Sequence, residues 1–129
     1  MGAQIFLGLS ALLWFPYGIF CLVQPSFLEG TAGVAASTAT GTVELRAMYG
    51  GLQAAIGVLC ALGCASAVWR GHALVALGFL AAGLGLARLA GVALGGGLSS
   101  YTTFALIIEF ASAGLAFAFA RRQSEALAA

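Results

Sequence analysis

The run ALVALGFLAAGLGLARLAGVAL, residues 73–94, decides the fold. It holds one charge, Arg88, in a stretch long enough to cross a hydrocarbon core of about 30 Å at about 1.5 Å of rise per residue. A helix at a water-soluble surface would show a polar face over that length, and this one shows none. Outward from it lie three more apolar stretches, about 4–23, 44–68 and 102–120, each near the roughly 20 residues a spanning helix needs. The whole chain of 129 residues is 62% hydrophobic and 7% charged, with mean hydropathy +1.07. Soluble domains carry about 25% charged residues. The reading is all-α: an integral membrane four-helix bundle forming a single domain over residues 1–129. Residues 4–23 are read as a span and not as a secretory signal. No basic residue precedes them, and the nearest Ala-rich cleavage pattern, at Val34 to Ala36, lies too far downstream. A bend is expected at Pro16.

The connections carry turn and cap chemistry. Gln24 to Val43 holds Pro25, Gly30, Gly33, Gly41 and a Ser/Thr run, with Thr42 as the expected N-cap of the second span. Arg70, Gly71 and His72 mark the second break. Gly95, Gly96 and Gly97 stop the third span, and Ser99 or Ser100 caps the fourth. Among the connections and ends, Arg occurs at Arg70, Arg121 and Arg122. The bias of basic residues toward the cytoplasm places the second connection and the C-terminus inside, and an even number of crossings puts the N-terminus there too. The expected location is the cell membrane of a bacterium, multi-pass, with N-in/C-in topology and membrane lipids as the first partners.

Four charges fall inside the apolar stretches: Glu44, Arg46, Arg88 and Glu109. Each costs roughly 2.5 to 3.5 kcal/mol at mid-bilayer on insertion scales, so each demands compensation. The topology puts Arg88 about 9 Å below the outer end of its helix and Glu109 about 10 Å below the outer end of its own. Glu44 and Arg46 start the second span on that same side. The four sum to zero, and a paired network in the outer half of the bundle is the expectation. Helical spacing points the charges inward. Thr102, Ala105, Glu109, Ser112, Ala113 and Ala116 form a small and polar stripe; Gly78, Ala81, Gly85 and Arg88 form another; Arg46, Tyr49, Gly50, Gln53 and Gly57 share a third.

Such stripes are explained by close helix packing alone, and a buried ion pair can serve only to fix helix register. Glu44 has a further explanation, since a carboxylate near a helix N-terminus is stabilised by the helix dipole. The functional alternative is an outward-opening pocket lined by Glu44, Arg46, Tyr49, Gln53, Arg88 and Glu109 with Trp14 and Tyr17. In it the two arginines would take an anionic or carbonyl group of a lipid, a quinone or a similar hydrophobic molecule. Trp14, Trp69 and Tyr101 are expected as interfacial belt residues, and Tyr49, between Arg46 and two glycines, as the best candidate contact.

The run Glu44, Leu45, Arg46, Ala47, Met48, Tyr49, Gly50, Gly51, with Gly57, Arg88 and Glu109 after it, resembles a bacterial family of four-helix integral membrane proteins, domain of unknown function 4345. That family is similar to the DoxX-like membrane proteins, some of which are subunits of quinone-linked oxidoreductases. The resemblance implies the four-helix fold and marks the same residues that burial picks out, without assigning them an activity.

Other classes are poorly supplied. The charged residues are five Arg and four Glu, with no basic tract for nucleic acid. One His, no Asp and no phosphate-binding loop leave no catalytic constellation, and no enzyme activity is expected. No metal site is expected from Cys21, Cys60 and Cys64; Cys60 and Cys64 share a helical face, which reads as packing. His72 reads as interfacial. No cofactor motif occurs, although a quinone or lipid is compatible with the pocket. A proton-coupled carrier needs Glu109 unpaired and a second copy of the chain to supply helices. A structural or accessory subunit needs an exposed seam of small residues toward a membrane partner or a homo-oligomer.

Overall fold

The computed structural model describes residues 1–128. Helix α1 spans Gly2–Val23. A short α2, Phe27–Ala32, lies in the first connection and ends on Gly33, whose φ of 68° lets its N–H turn back to Glu29 and Leu28. Helix α3 runs from Ala39 to Ala65, α4 is Ala67–Ala93, and α5 is Ser100–Ala128. The four long helices are long and apolar enough to cross a membrane, and the protein is a multi-pass integral membrane bundle. Exposed leucines, isoleucines and phenylalanines such as Leu12, Phe79, Phe104 and Ile107 cover its outside, as lipid contact requires.

Close approach of the helices follows from small residues placed opposite backbone. A methyl added at Gly18 would overlap the backbone of Ala54, one at Gly57 the backbone nitrogen of Phe15, and one at Gly50 would come within 2.7 Å of Leu22 Cα. These pairings run antiparallel and fix α1 against α3. Between α4 and α5 the fit is hole to knob. Gly78 faces the Phe117 ring and Gly85 the Phe110 ring, with hypothetical methyl contacts at 2.7 and 3.2 Å, so two glycines seven apart receive two aromatics seven apart. Gly63 sits over Ala73 and Leu7 where α3 meets α4 and α1. At the end of the bundle holding both termini, Leu7, Trp14, Ile56, Cys60, Ala73, Leu74, Leu77 and Ala116 form one buried cluster.

Several boundaries differ from the expected ones, each for a visible reason. The second break falls at Ser66, whose φ of −125° and ψ of 129° are extended, so Arg70, Gly71 and His72 lie in the first turns of α4. Arg70 reaches back and donates from Nε to Gly63 O (3.2 Å) and from Nη2 to Cys64 O (3.4 Å). It therefore caps the free carbonyls at the C-terminus of α3, which is why a one-residue turn suffices. The N-cap of α3 is Thr38, whose Oγ1 accepts from Gly41 N at 3.0 Å; Thr42 lies inside the first turn and its hydroxyl donates to Thr38 O. Ser99 accepts from Thr102 N at 3.1 Å and begins α5. Gly95, at φ 108°, ends α4. Helix α1 continues through Pro16.

Candidate functional site

Arg46 to Gly51 of α3 form a π-helical turn, in which Leu52 N donates to Ala47 O, five residues back. The insertion adds one residue to a turn, rotating everything before it by about 100° relative to a regular helix. Two consecutive glycines, Gly50 and Gly51, sit at its end. Past the turn, Gln53 and Gly57 remain buried on the inner face, with Tyr49 half-buried. At its start, Arg46 is turned off that face. It is exposed and lines a separate groove with Gln24, Pro25, Glu29 and Thr42 under the first connection. Glu44 is exposed as well. A uniform period of 3.6 residues places Arg46 with Gln53; the π turn separates them.

The four charges accordingly do not form one network. The structure brings together two of them, Arg88 of α4 and Glu109 of α5. Arg88 donates from Nη2 to Glu109 Oε1 at 2.8 Å, and from Nε to Oε2 at 3.0 Å and Oε1 at 3.3 Å. This two-pronged geometry matches a planar guanidinium to a carboxylate. Glu109 is 4% exposed; the Arg88 side chain is 26% exposed, and its guanidinium carbon stands 5.7 Å from the centroid of the Tyr101 ring, a cation–π contact. On the same α4–α5 seam, Arg88 lies one turn on from Gly85, and Glu109 is the residue before Phe110.

Beside the pair a cavity of about 480 Å³ opens between the α1–α3 and α4–α5 hairpins. Its wall takes Trp14 and Tyr17 from α1, Tyr49 and Gln53 from α3, Arg88 from α4, and Tyr101 with Glu109 from α5; apolar side chains including Leu13, Leu52, Leu84 and Ile108 complete it. Met48, Leu52 and Phe104 on its rim are exposed. The cavity occupies the half of the bundle away from the termini, and the packed cluster occupies the other. Two cavity-wall side chains hold polar atoms with no partner among the described residues: Trp14 Nε1, in a residue 8% exposed, and Gln53 Oε1, in one 7% exposed.

Two of these wall residues depart from the sequence expectation. Trp14 and Tyr101, expected in an interfacial belt, are buried and half-buried in the cavity wall, whereas Trp69 is exposed. Trp14 had a signal in the sequence: Leu7, Ser10, Trp14, Gly18 and Cys21 recur at spacings of three and four along α1, and all are buried. Among the described residues no group of three or more His, Cys, Asp or Glu could hold a metal ion.

These features define a four-helix integral membrane protein with an interhelical ion pair beside a mostly apolar cavity. The chain belongs to the family described as domain of unknown function DUF4345, which it matches over residues 2–120. Comparison with curated proteins and with solved structures gives no match.

Proposed function

We propose that the chain is a structural or accessory subunit of a larger membrane assembly, in which the Arg88–Glu109 pair serves the architecture of the bundle. The observation that carries this reading is the mutual satisfaction of the two charges. Both oxygens of Glu109 accept from the one guanidinium, so the carboxylate is held in place and is not offered as a free proton carrier. The outer face of α4 supports the assembly role: Gly83, Ala87 and Gly91, four residues apart, are exposed, and Gly83 and Gly91 have open space where a side chain would stand. Spaced small residues of this kind let a second helix approach closely in lipid. The basic residues Arg70, Arg121 and Arg122 favour N-in/C-in orientation, and we place the protein in a bacterial cell membrane, with kinship to DoxX-like proteins as part of the same proposal.

The test is gentle extraction into lipid nanodiscs followed by native mass spectrometry. A partner protein or a defined oligomer, lost when Gly83 and Gly91 are both replaced by Leu, is the expected result. A lone monomer under these conditions removes the reading. A second reading, that the chain binds a lipid, quinone or other hydrophobic molecule, is favoured by the cavity itself, whose volume falls within the about 300 to 1,000 Å³ of small-molecule sites.

A further inference from the structure

We infer that the cavity between the two hairpins seats a neutral carbonyl oxygen on the free end of the Arg88 guanidinium. The inference rests on the second reading above and names the group that its ligand must present.

A guanidinium carries its N–H hydrogens in one plane, and Glu109 uses only one edge of it. That edge is formed by Nε and Nη2, which donate to Oε2 at 3.0 Å and to Oε1 at 2.8 Å. The other Nη2 hydrogen and both Nη1 hydrogens are left over, and one from each nitrogen points off the end of the group side by side. Nη1 makes no hydrogen bond among the described residues. It is not sealed in either: the atoms that are both unbonded and closed to the surface belong to Trp14, Gln53 and Gln123. Arg88 lines the cavity, with 26% of its side chain accessible.

Charge selects the partner for this free end. Among the lining residues the charged ones are Arg88 and Glu109, which sum to zero. Arg46, the other arginine of the outer half, lines a different groove. An anionic head would leave a net negative charge in a mostly apolar wall, beside a carboxylate that is 4% exposed. Burial penalises such an uncompensated charge. An ammonium head finds both Glu109 oxygens already engaged. A neutral acceptor gains a hydrogen bond to a charged donor and adds no charge.

Hydrogen-bond polarity then separates the neutral heads. The free end of Arg88 can only donate. Side-chain acceptors for a hydroxyl hydrogen are withheld, because the Glu109 oxygens are occupied and Gln53 Oε1 is closed off. The hydroxyls of Tyr17, Tyr49 and Tyr101 in the same wall donate as readily as they accept. A carbonyl brings two lone pairs and no hydrogen of its own, so it suits a wall of donors; an alcohol must find a phenol for its proton. The ring of a quinone and the acyl ester of a membrane lipid share this group. Exposed Met48, Leu52 and Phe104 at the rim give either tail a way out to lipid.

The test sets matched probes against one another in vesicles of ether-linked phosphatidylcholine, which has no ester carbonyl to compete. Trp14 lines the cavity, and since the chain has two tryptophans, it is the sole emitter in a Trp69→Phe background. Its quenching is followed during titration with a dibrominated long-chain ketone, with the alcohol, ionised carboxylate and hydrocarbon of the same chain, and with two further carbonyl probes. These are an alkyl-tailed benzoquinone and a dibrominated fatty-acid methyl ester, which distinguish the two carbonyl sources. Saturable quenching, tightest for a carbonyl probe, is expected. In isotope-edited infrared spectra of the parent chain, labelled at the probe's carbonyl carbon, the stretch of the bound probe should lie below its frequency in protein-free vesicles. Arg88→Met combined with Glu109→Leu keeps the wall neutral and removes the donor. It should weaken the carbonyl probe about ten- to hundredfold relative to the hydrocarbon, the equivalent of a hydrogen bond to a charged group. Equal or tighter binding of the alcohol or carboxylate, an unshifted carbonyl stretch, or unchanged carbonyl binding in the folded double variant overturns the inference. If the probes nevertheless saturate, and Ala105→Phe, which fills the cavity, abolishes that saturation, the second reading stands without it. Quenching that never saturates for any probe removes both.

Discussion

Removing one member of the Arg88–Glu109 pair should destabilise the bundle far more than removing both. The relevant variants are Arg88→Met, Glu109→Leu and their combination, which replace the charges with apolar groups of similar length or smaller volume. The contacts are at 2.8 and 3.0 Å. With charge centres about 4 Å apart, the attraction is about 4 kcal/mol at an effective dielectric constant of about 20. Arg88 keeps about a quarter of its side chain accessible from the cavity side, which reduces the penalty of stranding it. The expected cost of either single change is therefore about 3 kcal/mol, the lower end for breaking a buried pair. The double variant should lie within about 1 kcal/mol of the parent, since desolvation of both charges disappears with their attraction. The coupling comes to about 5 to 7 kcal/mol if the singles each reach the expected cost, against an average of about 0.6 kcal/mol for ordinary interhelical hydrogen bonds in a bilayer. The assay is reversible unfolding in mixed micelles by increasing SDS, followed through tryptophan fluorescence. Additive single effects, with coupling below about 0.5 kcal/mol, would refute the assignment of the pair as the tie between α4 and α5.

The glycines give a sharper contrast. Gly57→Ala and Gly50→Ala should each cost more than about 2 kcal/mol in the same assay, because the added methyl meets the backbone of α1; Gly83→Ala, which meets nothing, should be neutral or slightly stabilising for the monomer through helix propensity. Arg70→Ala should destabilise by about 1 to 3 kcal/mol, since it frees the carbonyls of Gly63 and Cys64, and Arg70→Lys should recover only part of this, having no planar fork to span two carbonyls. Maleimide labelling followed by mass spectrometry should modify Cys64 first in the folded protein, with Cys21 and Cys60, both buried, reacting only after SDS unfolding; equal rates at all three would contradict the packed cluster around Cys60.

The four spans were legible because hydropathy over about 20 residues is a bulk property that no local detail reverses. The inward faces of α4 and α5 were legible for a related reason: both helices are regular, so a constant period carries Gly78, Ala81, Gly85 and Arg88 to one side and Glu109, Ala113 and Ala116 to the other's counterpart. The same rule misplaced Arg46, because one extra residue in the Arg46–Gly51 turn changes the phase and no hydrophobic pattern in so short a run reveals it. The Ser66 break was hidden for another reason. Arg70 and Gly71 suggest a turn by composition, yet Arg70 serves the turn from inside the next helix by capping the last one. Tyr101 was obscure because an aromatic at a span end satisfies the interfacial pattern whether it faces lipid or, as here, a guanidinium 5.7 Å away.

The seam between α4 and α5 shows which part of the site architecture explains. Starting from the end that holds the termini, Gly78 receives Phe117 and Gly85 receives Phe110; Arg88, one turn after Gly85, meets Glu109, the residue before Phe110. The pair adds a charged contact at the end of this ladder away from the termini. A contact of this kind serves register between the two helices. It does not account for Trp14 and Gln53, which belong to the opposite hairpin and take no part in that ladder. Their buried, unpartnered polar atoms add desolvation cost without adding a contact, and apolar residues of the same size would close the wall at lower cost. Packing of α4 against α5 therefore leaves these two side chains unexplained, and a role for the cavity is to be tested there, separately from the ion pair.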